Sequence, residues 1–442
     1  MLPDNAVNPN EPATAAPPAG WFARSFLIQR GEGWLVVWAC LFYFFLMAAY
    51  FIVQPIRDEM AQAYGVENKN TLVQLGLLTM VCVHIGFSGL VSRLPRQRFV
   101  PVLYRFFGVN LLIFLLLFRS IDPAEQGWLA QAFFIWVGVF SLFIMSLFWG
   151  VMADLLRHHQ AARLFGIIGA AGTLGGIVGP QLTSNLVSKI GIAYMLAISI
   201  LFLEAAIFAV SRLWKLTPEN GTAQAPAAER QSLLAGALEG MKLVARSPYL
   251  LGICAFIFIY SLTGMLLWTA KQDIVHLAFA SSNDRIEFFA GVVTWNNSAT
   301  LLLQLFLTSR ILKNMGSGIA LAAVPVVTGI GFAFLGGWPT LWMIVVFEVS
   351  RKVCQYVAAK PAQNMLYTVV SRSARYKSKT FIDTFVYRGG DSVSSATTSW
   401  VLAGGSSISV VLFGSIPVAL LWMGIALLLG RQQRKLANDH VE

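Results

Sequence analysis

The sequence predicts an all-α membrane protein with twelve transmembrane helices in two pseudo-symmetric bundles of six. The mean hydropathy is +0.66, and 57% of the residues are hydrophobic whereas only 12% are charged. About 20 apolar residues cross a bilayer as a helix, and continuous runs of that length differ from the alternating segments of a β-barrel. The predicted spans are 33–54, 70–91, 99–118, 126–153, 161–187, 190–213, 248–270, 286–309, 316–335, 339–368, 379–403 and 408–430.

One long polar stretch, residues 214–247, divides these spans six and six. We therefore predict an N-terminal bundle at 33–213, a linker at 214–247 and a C-terminal bundle at 248–430. Residues 1–32 are rich in Pro, Ala and Asn and predict a disordered N-tail, and residues 431–442 a C-tail. The first apolar run is too long for a cleavable signal peptide.

The charge distribution predicts the topology. Most of the 32 Lys and Arg residues fall in the N-tail, the even-to-odd loops, the linker and the C-tail. By the positive-inside rule both termini lie in the cytoplasm. The net charge of +11 therefore mainly reflects the orientation of the chain in the membrane. Because the positive charges are scattered over short loops, we expect no nucleic-acid partner.

Ten charged side chains nevertheless lie inside hydrocarbon-length segments. Each is unfavourable by roughly 2.5–3.5 kcal/mol at a bilayer centre unless it faces water, a partner or a ligand. Such a set indicates a polar path through the membrane. The ten are Arg105, Asp154, Glu204, Glu348, Arg351, Lys352, Lys360, Asp383, Arg388 and Asp391.

Span 10 is the richest in polar residues. Glu348 precedes Arg351 and Lys352 by three and four positions, so a helix can place all three on one face near mid-membrane. Gln355 and Tyr356 continue this stripe. The stripe is either a cationic cradle for a ligand or an internally neutralised cluster, although one carboxylate cannot neutralise two cations.

Span 11 carries Asp383, Arg388 and Asp391 beside a double glycine. Arg388 and Asp391 are three positions apart, so they either contribute to a site or pair with each other. The glycines let another backbone approach closely.

The outer ends of spans 1 and 7 carry Arg57, Asp58 and Lys271, which predict an anion-attracting vestibule; the alternative is interfacial snorkelling. Asn296 and Asn297 in span 8 suit either a ligand or interhelical hydrogen bonds. At the cytoplasmic side we predict a gating salt-bridge network, which comprises Asp154, Arg157, Arg163 and Arg372.

The two halves echo each other at a nearly constant offset. Arg57-Asp58-Glu59 matches Lys271-Gln272-Asp273 at 214 positions, Arg157 matches Arg372 at 215, and Gly175-Gly176 matches Gly389-Gly390 at 214. Such agreement indicates a parallel repeat, the arrangement of a transporter whose site lies between two rocking halves.

Two family resemblances follow from these residues. The glycines of span 5, Gly166, Gly175 and Gly179-Pro180, resemble the pattern of major facilitator superfamily antiporters, with Thr183-Ser184 in place of the terminal glycine pair. The loop Gly89–Arg98 resembles that superfamily's basic signature in degenerate form. Both imply the major facilitator type of fold.

The block 360–391 is similar to the ATP/ADP-translocase family of bacteria, plastids and intracellular parasites, and more specifically to its free-living bacterial branch. The stretches 50–58 and 148–169 also fit that family. The resemblance implies nucleotide exchange and assigns Lys360 to the binding set. Gln54 stands where nucleotide exchangers carry a cation, and Gln363-Asn364 replace a charged pair. The loss of a cation would weaken the binding of a polyanionic substrate most.

We therefore predict a secondary transporter that moves an organic anion by alternating access. The exchange of nucleotides or phosphorylated metabolites ranks first among the candidate activities. Arg57, Lys271, Arg351, Lys352 and Arg388 would hold the anion, and Glu348, Asp383 and Asp391 would hold those cations in the empty site. One alternative is a proton-coupled carrier that uses these carboxylates; another is a non-transporting membrane sensor or scaffold.

The sequence contains no Gly-x-x-x-x-Gly-Lys-Ser/Thr, His-Glu-x-x-His or Gly-x-Ser-x-Gly motif, so we expect no enzyme, no cofactor and no metal site. All four cysteines lie in predicted spans and are interpreted as packing residues. Nothing in the sequence demands more than a monomer.

Overall fold

The computed structural model describes residues 32–63, 69–91, 96–122, 127–156, 158–216 and 233–439, and all secondary structure in these ranges is helical. The first half contains α1 (Gly33–Ala63), α2 (Lys69–Val91), α3 (Arg96–Ser120), α4 (Gly127–Leu155) and α5 (His158–Leu216). Helix α6 (Leu233–Arg246) lies within the predicted linker. The second half contains α7 (Pro248–Ala278), α8 (Ser282–Gly337), α9 (Leu341–Cys354), α10 (Lys360–Leu366), α11 (Arg372–Phe381), α12 (Tyr387–Ala403), α13 (Ile408–Gly414) and α14 (Ile416–Asp439). Residues 1–31 of the predicted N-tail lie outside the described ranges.

Two long helices are bent at a single glycine. Gly191 in α5 has φ 80° and ψ 167°, and Gly316 in α8 has φ 71° and ψ 172°. This backbone region is essentially restricted to glycine. Each bend therefore separates two straight pieces, and both bends lie within two residues of a predicted span start.

Helices α9 and α12 each adjoin a π-helical turn. Gln355–Ala359 joins α9 to α10, and Ile382–Val386 joins α11 to α12. A π-turn adds a residue to the helical repeat and rotates the faces on either side of it. These turns divide the spans that the sequence predicts at 339–368 and 379–403.

Seven helical segments within the described residues are long and apolar enough to cross a membrane. The pieces around the π-turns fall short of this criterion, because they are short and carry charge. The seven are Gly33–Gln62, Phe99–Ser120, Gly127–Leu155, Leu164–Leu216, Pro248–Ala278, Gly316–Gly337 and Ile408–Ala437.

Small residues bring helices into close contact in both halves. In the first half, α5 packs on α1: Gly175 lies against the carbonyl oxygen of Phe44, and Ser199 Oγ donates to the Ala49 carbonyl at 2.9 Å. In the second half, α12 packs on α7: a Cβ at Gly390 would lie 2.6 Å from the carbonyl oxygen of Phe258. Phe44 and Phe258 are 214 positions apart, which is the repeat offset seen in the sequence. Small side chains allow this approach in membrane bundles.

The buried apolar side chains separate in the same way. One large cluster draws on residues 35–213 together with Ile286, and two others draw only on residues between 244 and 429. Polar residues are concentrated where these two sets of helices face each other.

Candidate functional site

A cavity of about 340 Å³ lies between the two halves of the chain. Its walls come from α1, α2 and α4 of the first half and from α7, α9 and α12 of the second. Apolar and charged side chains share the lining, and the charged ones are Arg57, Asp58, Lys271, Glu348, Arg351, Lys352, Arg388 and Asp391. The structure thus brings together the charged residues that the sequence selects in spans 1, 7, 10 and 11, except for Lys360 and Asp383.

Each of the three carboxylates in the lining contacts one cation. Arg57 Nη2 lies 3.1 Å from Asp58 Oδ1, and Arg388 Nη1 lies 3.3 Å from Asp391 Oδ2. Both pairs are local, because their members are one and three positions apart on one helix. Asp58 is also contacted from the other half, since the indole of Trp268 donates to Asp58 Oδ1 at 3.4 Å.

The third ion pair joins different helices. Lys271 Nζ lies 3.1 Å from Glu348 Oε2, and Asn296 Nδ2 donates to Glu348 Oε1 at 3.1 Å. Glu348 therefore ties α7, α8 and α9 together. The sequence places Glu348 on one face with Arg351 and Lys352, but its carboxylate is directed to Lys271 instead.

Arg351 is buried and held by neutral acceptors. Its Nε donates to Thr328 Oγ1 at 3.3 Å, and its Nη2 donates to the Tyr260 carbonyl at 2.8 Å and to Thr263 Oγ1 at 3.1 Å. The guanidinium carbon lies 4.7 Å from the centroid of the Tyr260 ring. These contacts fix the plane of the guanidinium without neutralising it, and Nη1 faces Gly264 in the cavity wall.

Lys352 follows on the same helix and also lines the cavity. Its Nζ lies 5.7 Å from the centroid of the Tyr356 ring, a cation–π contact. Among the described residues, no carboxylate forms a salt bridge with Lys352 or with Arg351. Two neighbouring cations therefore line the cavity without a salt-bridge partner among the described residues.

Beyond the cavity, the next turns of α1 and α7, together with Arg285 in the first turn of α8, form a polar contact between the halves, which we call the α1–α7 lock. Arg285 Nη2 and Nε bind Glu59 Oε1 and Oε2 at 2.7 and 2.8 Å, and Glu59 is 1% exposed. Because its N–H groups donate hydrogen bonds to the Glu59 carboxylate, the pKa of Arg285 is raised. Gln62 Nε2 donates to Gln272 Oε1 at 2.7 Å, and His276 Nδ1 lies 3.1 Å from Gln62 Oε1.

Sequence reasoning missed the α1–α7 lock. Its signals were present: Glu59 follows Asp58 in the repeated Arg57-Asp58-Glu59 element, and Arg285 is one of the few cations on that side of the predicted membrane. Nothing in the linear order indicates that these two residues meet.

Other contacts also cross between the halves. Gln74 Nε2 donates to the Ser392 carbonyl at 3.1 Å, which joins α2 to α12. Asn297 Nδ2 donates to the Gly176 carbonyl at 2.5 Å, which joins α8 to α5. Asn297 thus serves a helix contact and does not line the cavity.

Several predicted site residues lie away from the cavity. Gln355 is buried outside its lining, whereas Tyr356, Lys360 and Asp383 are exposed and also outside it. Asn296 does not line the cavity, and its link to the cavity is the hydrogen bond that it donates to Glu348.

The remaining intramembrane charges, Arg105, Glu204 and Asp154, also lie outside the cavity lining. Arg105 and Glu204 pair at 3.8 Å on the exposed outer face of α3 and α5. Asp154 is half-buried near the end of α4. Arg157 and the side chains of Arg163 and Arg372 lie outside the described residues, so those gating assignments stay predictions.

Comparison with solved structures defines the class of protein. The structure resembles a bacterial homologue of the iron transporter ferroportin in an inward-facing state, with a TM-score of 0.64 at 10% identity over 91% of this chain and 98% of that one. It also resembles a bacterial homologue of the human lysosomal transporter Spinster, with a TM-score of 0.58 at 13% identity over 92% and 98% of the two chains. A Major Facilitator Superfamily model matches residues 1–180. The chain is therefore a multi-pass helical membrane protein with a fold of the major facilitator type.

The particular family follows from a second match. The model of the TLC ATP/ADP transporter family covers residues 117–432, and the chain belongs to this family. The resemblance seen in the sequence is thereby confirmed. A curated relative, ADP,ATP carrier protein 1 of Chlamydia pneumoniae, is 22% identical over 306 residues, which are 60% of this chain and 59% of the relative. The chain spans 59–62% of the length of the curated relatives it matches.

Proposed function

We propose that this protein is a secondary transporter that exchanges nucleotides or related phosphorylated metabolites by alternating access. The observation that carries this proposal is the pair of uncompensated cations, Arg351 and Lys352, in a cavity between the two halves. Uncompensated buried charge is unfavourable, and an anionic ligand would relieve it. Family membership and the name of the Chlamydia relatives support a nucleotide as that ligand.

The residues suggest how binding couples to conformation. An anion that enters the cavity meets Arg351 and Lys352 first, because their charges are free. It then competes with Glu348 for Lys271 and with Asp391 for Arg388. Because binding rearranges these ion pairs, the occupied and empty sites favour different helix arrangements, which is the requirement for a ligand-driven population shift.

The proposed architecture is two six-helix bundles in a bacterial inner membrane, with both termini in the cytoplasm. Close contacts of α5 on α1 and of α12 on α7, whose residues are 214 and 215 positions apart, support two equivalent bundles. The bends at Gly191 and Gly316 supply the extra span boundaries that twelve helices require. The α1–α7 lock would then close one end of the cavity and release when the halves rock. We assign the protein as a monomer.

A proton-coupled carrier is the second candidate, and one contact favours it. Asp391 lines the cavity and lies within hydrogen-bonding distance of the Ser261 hydroxyl, which also donates to the Tyr387 carbonyl at 2.6 Å. An aspartate in such a position could exchange a proton with the cavity. Uptake that depends on an imposed proton gradient would favour proton-coupled transport over exchange.

Purified protein in liposomes tests the proposal. Vesicles loaded with unlabelled adenine nucleotides should take up labelled nucleotide, and empty vesicles should not. Lys352→Gln should abolish the uptake, whereas Arg119→Gln serves as the control because Arg119 is exposed and lies outside the cavity lining. No exchange of any phosphorylated compound by well-folded protein would favour a sensor or scaffold instead.

A further inference from the structure

We infer that the cavity selects a ligand with a single phosphoryl group, which carries about two negative charges, over a diphosphate or triphosphate. The inference rests on the proposed function and specifies its substrate class. It follows from the balance of formal charges among the described residues of the cavity wall.

That balance leaves two positive charges. Five cations line the cavity, and three carboxylates compensate three of them at 3.1–3.3 Å. The excess is not spread over the wall, because the two cations without a carboxylate partner are adjacent on α9. They are Arg351 and Lys352.

The two side chains suit one tetrahedral dianion. Arg351 is oriented by Thr328, Thr263 and the Tyr260 carbonyl, which bind Nε and Nη2, so Nη1 is the nitrogen of its fork that has no hydrogen-bond partner among the described residues. Lys352 supplies a point charge on a flexible stem. A phosphoryl monoester carries a charge of about −1.5 to −2 at pH 7 and offers three acceptor oxygens. Its charge is opposite in sign to the excess of the cavity wall and about equal to it in size.

A longer phosphate chain fits less well. Each further phosphoryl group adds about one negative charge, which makes the occupied cavity net negative and leaves at least one carboxylate buried without a cation, whichever cations hold the ligand. The volume agrees, because about 340 Å³ lies near the lower end of the roughly 300–1,000 Å³ range of small-molecule pockets.

Gln54 occupies the place where a further cation would change this selectivity. It lines the cavity from α1, and its Oε1 is buried without a hydrogen-bond partner among the described residues. A lysine at this position would raise the excess to three positive charges. The same wall would then suit a diphosphate.

The test measures binding of adenosine mono-, di- and triphosphate to the purified full chain by calorimetry, in EDTA so that Mg²⁺ does not lower the ligand charge. The wild type should bind the monophosphate at least about tenfold more tightly than the triphosphate. Gln54→Lys should shift the preference toward the diphosphate, Lys352→Gln should weaken monophosphate binding at least about tenfold, and Gln54→Leu should leave the order unchanged.

The outcomes separate the two levels of the argument. A wild type that binds the triphosphate or diphosphate more tightly than the monophosphate overturns the inference and leaves the proposed function standing. A wild type that binds none of the three nucleotides, nor a hexose monophosphate, defeats the proposed function. If Gln54→Lys fails to fold, as judged by its thermal melt without ligand, the wild-type order and the Lys352→Gln variant still decide the matter.

Discussion

Replacing Arg285 with glutamine should release the contact between the halves at the end of the cavity formed by α1 and α7. Arg285 binds Glu59 through two hydrogen bonds of 2.7 and 2.8 Å, and the exposed fractions of the two side chains are 12% and 1%. Removing one partner of a buried pair leaves an uncompensated charge, which destabilises by about 3–5 kcal/mol. At about 1.4 kcal/mol per factor of ten, the closed form should lose on the order of 10²–10³ in relative population.

Thiol accessibility measures this opening directly. The four natural cysteines are replaced, and a single cysteine is introduced at Met265 in the cavity wall. A membrane-impermeant thiol reagent added from the α1–α7 end should react much faster in Arg285→Gln than in the parent. Arg119→Gln is the matched control, because Arg119 is exposed and contacts only the ring of Tyr194 among the described contacts.

A double-mutant cycle shows whether the charge pair is the cause. Glu59→Gln combined with Arg285→Gln removes both charges, so its accessibility should return toward that of the parent. The reasoning is refuted if Arg285→Gln reacts at the parent rate. It is also refuted if the effects of the two single variants simply add.

Three further predictions concern packing and charge. Gly390→Ala should destabilise the protein by about 1–3 kcal/mol, because its Cβ would lie 2.6 Å from the Phe258 carbonyl oxygen. Gly389→Ala should be near neutral, because the nearest neighbour of its Cβ would be at 3.8 Å. Equal melting temperatures of the two variants would contradict this prediction. Glu348→Gln frees Lys271, so anion binding should tighten at least about tenfold while exchange slows, and weaker binding in calorimetry would be the contrary result. The association rate of the anion should fall as salt is added, with little change in its dissociation rate, since screening acts mainly on long-range steering; stopped-flow traces in which only dissociation responds would argue against a charge-steered cavity.

The sequence predicted much of the cavity lining because charge inside apolar segments is unfavourable and therefore informative. Arg351, Lys352 and Arg388 were selected on that basis, and Arg57 and Lys271 were selected as cations at the outer ends of spans 1 and 7. All five line one cavity. The sequence could not show how these charges pair. Spacing along one helix is visible, which placed Glu348 beside Arg351, but the closer approach of Lys271 from α7 depends on interhelical distances.

The π-helical turns explain why other predicted residues lie elsewhere. Gln355 and Tyr356 were placed on the stripe of Arg351 by assuming 3.6 residues per turn, yet both lie in the π-turn Gln355–Ala359. Asp383 likewise lies in the turn Ile382–Val386. Each turn rotates its residues away from the regular face, so Gln355 is buried outside the lining and Asp383 is exposed. Hydrophobic periodicity does not reveal such turns.

The origin of the cavity charges indicates which half would hold the proposed anion. Lys271, Arg351, Lys352 and Arg388 all belong to the second half, and Arg57 is the cation that the described part of the first half contributes to the lining. The three ion pairs of the cavity are each confined to one half. An anion held by Arg351 and Lys352 that also reached Arg57 would therefore form a charge link across the cavity that the empty site lacks. Because the second half supplies four of the five cations, the anion can stay bound to that half while the first half moves. Arg57 would then contact the anion only when the two halves close around it. Arg57→Gln should therefore slow exchange far more than it weakens equilibrium binding.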